Sequence, residues 1–131
     1  DLTVFSKYRD NSVEFTGEVP FIAPHIKDAR VGIAPALSGS GFRGKVNQYA
    51  ILGVPCVTSP IGLKGLAYQD GINIFVAETP AEFADKCIQL LNDEIINHRM
   101  GQAARELCLE RYTWESKWPD IQEIYKLPGA P

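Results

Sequence analysis

The apolar positions fall into short β-type runs separated by loops and, from residue 79 onward, into helical stretches. Residues 31–34 (VGIA), 54–58 (VPCVT) and 73–77 (NIFVA) are compact apolar runs of the kind covered on both faces in a parallel sheet. Residues 13–16 (VEFT) form a further short β-type run ending at Gly17. Leu2, Val4 and Phe5 belong to a strand or to the end of a helix, closed by Asn11 and Ser12. Between residues 20 and 29, Pro20 near the start and Phe21, Ile22 and Ile26 on one side predict a short helix, with Pro24 inside its first turns. Residues 45–52 predict another, carrying Val46, Tyr49, Ala50 and Leu52 and stopped by Gly53.

The remainder is helical. Thr79, Pro80 and Glu82 have the spacing of a capping box, with threonine as the cap and proline in the first helical position. Phe83, Ala84, Cys87, Leu90 and Leu91 then share one face. A second helix begins near Asn92 or Asp93 and is expected to bury Ile96, Met100, Ala103 and Leu107. Thr113 caps a third, in which Trp114, Trp118, Ile121 and Tyr125 align. Pro119 predicts a kink there or a later start. Both tryptophans are assigned to packing, and the Pro/Gly-rich residues 127–131 to a frayed end.

Buried-type strands alternating with helices predict an α/β fold, a Rossmann-like parallel sheet with helices on its faces. Ligands bind such sheets beyond the C-terminal ends of the strands. Residues 36–44 and 59–65 would both lie at that edge. Neither an internal repeat nor a low-complexity linker interrupts the chain, so residues 1–131 are read as a single domain.

Composition narrows the partners. A chain of 131 residues can bury a real core, and its apolar and charged fractions are ordinary. A net charge of −3 and a pI near 5.3 argue against nucleic acid, so any anion site must be local. Cys56, Cys87 and Cys108 are odd in number, widely spaced and without a C-x-x-C pair. They indicate neither a disulfide scaffold nor a zinc site, and read as reduced, buried thiols of a cytoplasmic protein. No transmembrane segment or signal peptide is present in the sequence.

The densest candidate chemistry lies within residues 31–59, in the loop Ser38-Gly39-Ser40-Gly41-Phe42-Arg43-Gly44-Lys45. Gly39 and Gly41 let a ligand approach the backbone. Arg43 and Lys45 add positive charge beside the free amides of a helix start. The glycine spacing matches neither a Walker loop nor a dinucleotide fingerprint, so an anion site and a tight turn with two solvated cations both stay open. Gly62-Leu63-Lys64-Gly65-Leu66 is a flexible connection at the same edge, a second loop able to pass backbone amides to a sugar or phosphate, though taken alone an ordinary surface loop explains it better. His25 and His98 read as surface residues. Glu94, Arg99, Arg105, Glu106, Glu110 and Arg111 read as a solvated face.

Taken in order, VEFTGEV, KDARVGIAP, GSGFRGKVNQYAILGVPCVTS, GLKGL, DGINIFVAETPAEFADKCIQLL and ERYTWESKW resemble the donor-binding half of glycosyltransferases with two Rossmann-like domains, the GT-B architecture. The likeness is strongest to retaining family 4 and runs from about residue 13 to residue 125. It implies a nucleoside-diphosphate sugar as donor, retention at the anomeric carbon, and neither metal nor cofactor. Arg43 and Lys45 take the catalytic role of steadying the leaving diphosphate. Gly39, Ser40, Gly41, Phe42, Gln48, Gly62, Leu63, Gly65 and Leu66 line the donor. The family's paired glutamates align with Ser40 and Gln48, neither of which is a carboxylate; Gln48 still offers a neutral donor and acceptor to a ribose hydroxyl.

The resemblance also implies missing pieces. The family's opening strands, with their Arg/Lys pair, and its N-terminal acceptor domain have no counterpart in this sequence. With Asp1 in place of Met, the expectation is a fragment of a surface-polysaccharide or glycoconjugate transferase, inactive in isolation, whose acceptor is unknown. A sheet edge left open by missing strands invites a homodimer. A sugar-nucleotide 2-epimerase shares the architecture, but needs carboxylates and a histidine that this loop lacks. A degenerate, non-catalytic nucleotide-sugar-binding or interaction module is the alternative from another class.

Overall fold

The computed structural model describes residues 12–39 and 44–125. Its centre is a three-stranded parallel sheet in the order β1 (Gly32–Ala34), β2 (Cys56–Thr58) and β3 (Phe75–Val76). Gly32 stands opposite Cys56, and Val57 opposite Phe75. The Rossmann-like α/β expectation is met: β1 and β2 are joined through α2 (Gly44–Ile51), and α4 (Pro80–Asn92), α5 (Glu94–Arg111) and α6 (Trp114–Tyr125) follow the sheet.

The sheet separates two apolar layers. On one side Val46 and Ala50 of α2 meet Ala34, Cys56, Tyr68, Ile74, Ala104 and Cys108. On the other, Leu90 of α4 and Met100 of α5 meet Val57, Phe75 and Ala77, with Phe83, Cys87 and Ile96 packed against them. Helix α5 therefore serves both layers. It buries Met100, Gly101, Ala104 and Cys108, a stripe turned by one residue from the predicted Ala103/Leu107 face. The small residues explain the turn, because they let α2 come close.

Gly101 is where α5 passes beneath the entrance to β2. A Cβ there would strike the Gly53 carbonyl oxygen and lie 3.3 Å from Pro55 Cδ. Arg105 Nε donates to Ile51 O at 3.1 Å, and Asn97 Nδ2 donates to Arg30 O at 2.8 Å. The N-terminal edge of the sheet is thus closed by one helix.

Helix starts follow their sequence signals. Thr79 Oγ1 accepts from Glu82 N at 3.2 Å while Glu82 Oε2 accepts from Thr79 N at 3.2 Å, the complete capping box. Asp93 caps α5 through Ile96 N at 2.9 Å, and Thr113 Oγ1 accepts from Ser116 N at 3.2 Å at the start of α6. Cys56 and Cys108 are buried and Cys87 half-buried, all three as free thiols; burial pushes the Cys56 thiol up to about 12.

Several expectations are corrected. Residues 13–16 form no strand: Val13, Glu14 and Thr16 are exposed, and no described strand lies alongside to complete a ladder. The helix expected over 20–29 contracts to the single turn α1 (Ala23–Ile26), because Pro24 belongs to a first turn rather than an interior. Pro119 neither ends nor delays α6; the only backbone bond it forgoes is to the exposed Glu115, whose carbonyl can turn to water. Trp114 is 81% exposed and Trp118 43%, so neither is a core residue. The element containing Leu2, Val4 and Phe5 and the tail 127–131 lie outside the described residues. No helix of the described residues is long and apolar enough to cross a membrane.

Candidate functional site

All three strands end at one edge, and residues 35–39, 59–65 and 77–80 leave the sheet there side by side. Parallel strands point their C-terminal ends the same way, which makes this edge the place for a ligand. Two of the three segments carry the glycines singled out in the sequence.

The first glycine turn leaves β1. Gly39 is exposed, with φ of 129°, and Leu37 before it is 89% exposed. Ser40, Gly41, Phe42 and Arg43 lie outside the described residues. The next described element, α2, carries Lys45 and Gln48, both exposed. Helix α2 is seated by Val46 and Ala50 in the core and by the Tyr49 hydroxyl, which donates to Ile33 O at 3.4 Å. Burial pushes the Tyr49 phenol up, so it stays a neutral donor. Lys45 therefore projects from the first turn of a helix whose other face is fixed.

The second turn is not the flexible loop expected of residues 62–66. Ser59 caps a one-turn helix, α3 (Pro60–Leu63), by accepting from Gly62 N at 3.1 Å. Gly62 is buried. Leu63 and Leu66 pack against the core, which leaves Lys64 and Gly65 (φ 86°) as the exposed part of the turn. The physical reason is the serine: its hydroxyl replaces a missing backbone partner and winds the chain inward.

Hydroxyls also join the two turns. Thr58, wholly buried, donates from Oγ1 to Ala34 O at 3.0 Å, and Ser59 Oγ donates to Ala36 O at 2.5 Å. Neither residue stands out in the sequence, because a Thr-Ser pair after a strand has no distinctive pattern.

The third segment was missed altogether as part of the edge. Pro35, Leu37, Ser59, Ala77, Thr79 and Phe83 line an apolar pocket of about 310 Å³ beside the first turn. Glu78 lines it as well. The Glu82 carboxylate is held under its usual range by the backbone N–H groups of Glu78 and Thr79. The available signal was that the capping box follows directly on a strand of the same sheet. A more open groove, with Lys64, Gly65, Asp70 and Glu78 on its walls, runs along the outer side of α3. Among the described residues, no group of three or more His, Cys, Asp or Glu stands close enough to hold a metal ion.

The parallel sheet flanked by helices, with two glycine turns at its C-terminal edge, is a Rossmann-like α/β domain. The family described as Glycosyl transferases group 1 matches residues 2–93, and the chain belongs to that family. A curated relative, the N-acetyl-alpha-D-glucosaminyl L-malate synthase of Bacillus anthracis, is 33% identical over 75 residues. The match covers 56% of this chain and 20% of the relative, so the chain corresponds to a small part of that protein's length.

Proposed function

We propose that the chain is the donor-binding part of a retaining glycosyltransferase of the GT-B type, and that residues 1–131 act as one domain of a longer enzyme. The donor is a nucleoside-diphosphate sugar. The observation that carries the reading is the pairing, in a member of this family, of the Gly39 turn and α2 start with the Gly65 turn at one sheet edge.

In this reading, transfer breaks the bond between the anomeric carbon and the diphosphate. Lys45 at the helix start, Arg43 and the amides around Gly39 and Gly41 stabilise the charge that develops on the leaving oxygen. Ser40, Phe42 and Gln48 meet the rest of the donor. Lys64 and the backbone at Gly65 face it from the second turn, while Gly62, Leu63 and Leu66 support that turn from beneath. The remainder of the enzyme supplies the acceptor contacts, and the reaction takes place in the cytoplasm, in polysaccharide or glycoconjugate synthesis. The relative's name makes an N-acetylglucosaminyl donor the first to try.

One observation favours a second reading, a non-catalytic nucleotide-sugar-binding module. Exposed Gln48 carries a neutral amide where the resemblance places a carboxylate. Calorimetric titration of the whole enzyme with UDP- and GDP-sugars, followed by assay for sugar transfer, separates the two. Binding with transfer, weakened at least tenfold by Arg43→Ala, is expected. Binding without transfer selects the module, and no heat with any donor overturns both.

A further inference from the structure

We propose that Ser59 is a positioning residue that locks the two glycine turns of the candidate donor site into one register; the link to donor binding rests on the function proposed above. Serine has one O–H to donate and lone pairs to accept. Ser59 uses both: Oγ donates to Ala36 O at 2.5 Å and accepts from Gly62 N at 3.1 Å. Ala36 lies on the chain leaving β1 toward Gly39, and Gly62 lies in the turn leading to Gly65. A single half-buried atom therefore holds both segments.

The neighbouring contacts make the tie stiff. Thr58, whose side chain is wholly buried, bonds Ala34 O one step below at 3.0 Å. A Cβ on Gly62 would collide with Thr58 Oγ1, lie 3.1 Å from Ala34 O and 3.5 Å from Ser59 Oγ. The four groups are packed to the limit that a glycine allows. Gly62, which the sequence offers as a ligand contact, is thereby explained as the residue that lets α3 close onto the tie. The bond from Ala36 N to Ala34 O at 2.9 Å lies within the chain leaving β1 and carries no information about α3.

Ser59 also lines the apolar pocket with Pro35, Leu37 and Thr79. It touches no charge and lies among none of the ligand-facing groups proposed above. Its action is through the loops it joins. A donor that must meet amides on one turn and Lys64 or the Gly65 backbone on the other binds only when the two are correctly spaced, and fixed spacing lowers the ordering cost of binding.

Hydrogen–deuterium exchange and titration of the whole enzyme test this together. In Ser59→Ala, amide exchange is expected to accelerate at least tenfold both in residues 35–39 and in residues 60–66, with β2 and α4 unchanged. Ser59→Thr, which keeps the hydroxyl, restores both segments. Ser59→Cys, of nearly the same shape with a weaker donor, gives the same pattern at smaller amplitude and stands in if the alanine variant does not fold. The Kd for UDP or GDP, whichever the wild type binds, is expected to rise about tenfold in Ser59→Ala and to recover in Ser59→Thr. Acceleration confined to residues 60–66 would mean a local helix cap only and overturns the proposal, as does a Kd equal to wild type. A wild type that binds neither nucleotide overturns the function proposed above, and the exchange pattern still decides whether Ser59 joins the two turns.

Discussion

The two ends of β2 are built on opposite plans. At its entrance, α5 lies directly on the chain, with Gly101 against the Gly53 carbonyl and the Pro55 ring, and the contact leaves no room for a side chain at position 101. At its exit, Thr58 and Ser59 hold the neighbouring segments by side-chain hydroxyls, and pockets open on either side. The difference is between close packing, which tolerates no added atoms, and directional bonds, which fix position while leaving backbone accessible. One end contributes stability; the other arranges a surface.

That contrast is broken most severely at the entrance. Gly101→Ala places a Cβ against backbone that cannot move aside, and is expected to cost about 3 kcal/mol in urea denaturation. Met100→Ala, which empties a buried site on the same helix, is expected to cost about as much. Equal donor affinity in whatever fraction remains folded would show that this end has no part in the site; reduced affinity would erase the distinction.

At the exit edge, Thr79→Ala removes one bond of the capping box and is expected to cost about 1 kcal/mol. The partner carboxylate gives this a pH signature. Glu82 titrates below its ordinary value of 4.5 in the folded chain, because the N–H groups of Glu78 and Thr79 stabilise its charged form. Its contribution is therefore present above about pH 4.5 and is lost as pH falls through the lower folded value. Glu82→Gln should flatten the acid limb of a stability–pH curve, and an unchanged limb would contradict the capping role.

Cys56 gives the opposite sign at alkaline pH. Its ordinary value of 9.0 is pushed by burial to about 12, so its contribution is intact below pH 9 and declines between the two values. Alkylation of the native chain at pH 8 should label Cys87 well before Cys56.

The smallest expected change in stability is at Lys45. It is exposed in the first turn of α2, and Lys45→Ala should alter the unfolding free energy by less than about 0.5 kcal/mol. On the function proposed above, the same substitution should weaken nucleoside-diphosphate binding about tenfold, a loss of about 1.4 kcal/mol. Large stability effects without binding effects at one end, and the reverse at the other, would confirm the division of labour along β2.

Elements whose partners lie a few residues away were legible beforehand. The capping box at Thr79 and Glu82, the caps at Asp93 and Thr113, and α2 with its glycine stop are local events. What failed depended on distant segments. The β-type run 13–16 has no ladder to join among the described residues, and Trp114 has no cover in spite of its spacing along α6. The α5 stripe turned by one position because α2 supplied a second surface that periodicity on α5 alone cannot announce. In the candidate site, the loop motif announces Gly39 and Lys45 as neighbours along the chain, whereas the closeness of Gly62 to Thr58 arises only in three dimensions.

Sequence alone was enough for the α/β class, the three strands of the sheet, the helices α2, α4, α5 and α6, and the position of the glycine-rich loop after a strand, because hydrophobic period and turn chemistry act over short distances. Tertiary structure decided which glycine faces solvent and which lies under a hydroxyl, and it brought Ser59 between two loops separated by a helix and a strand. The physical reason is that a parallel crossover places the ends of sequence-distant strands together, and a hydrogen bond forms between whatever groups that geometry brings within reach.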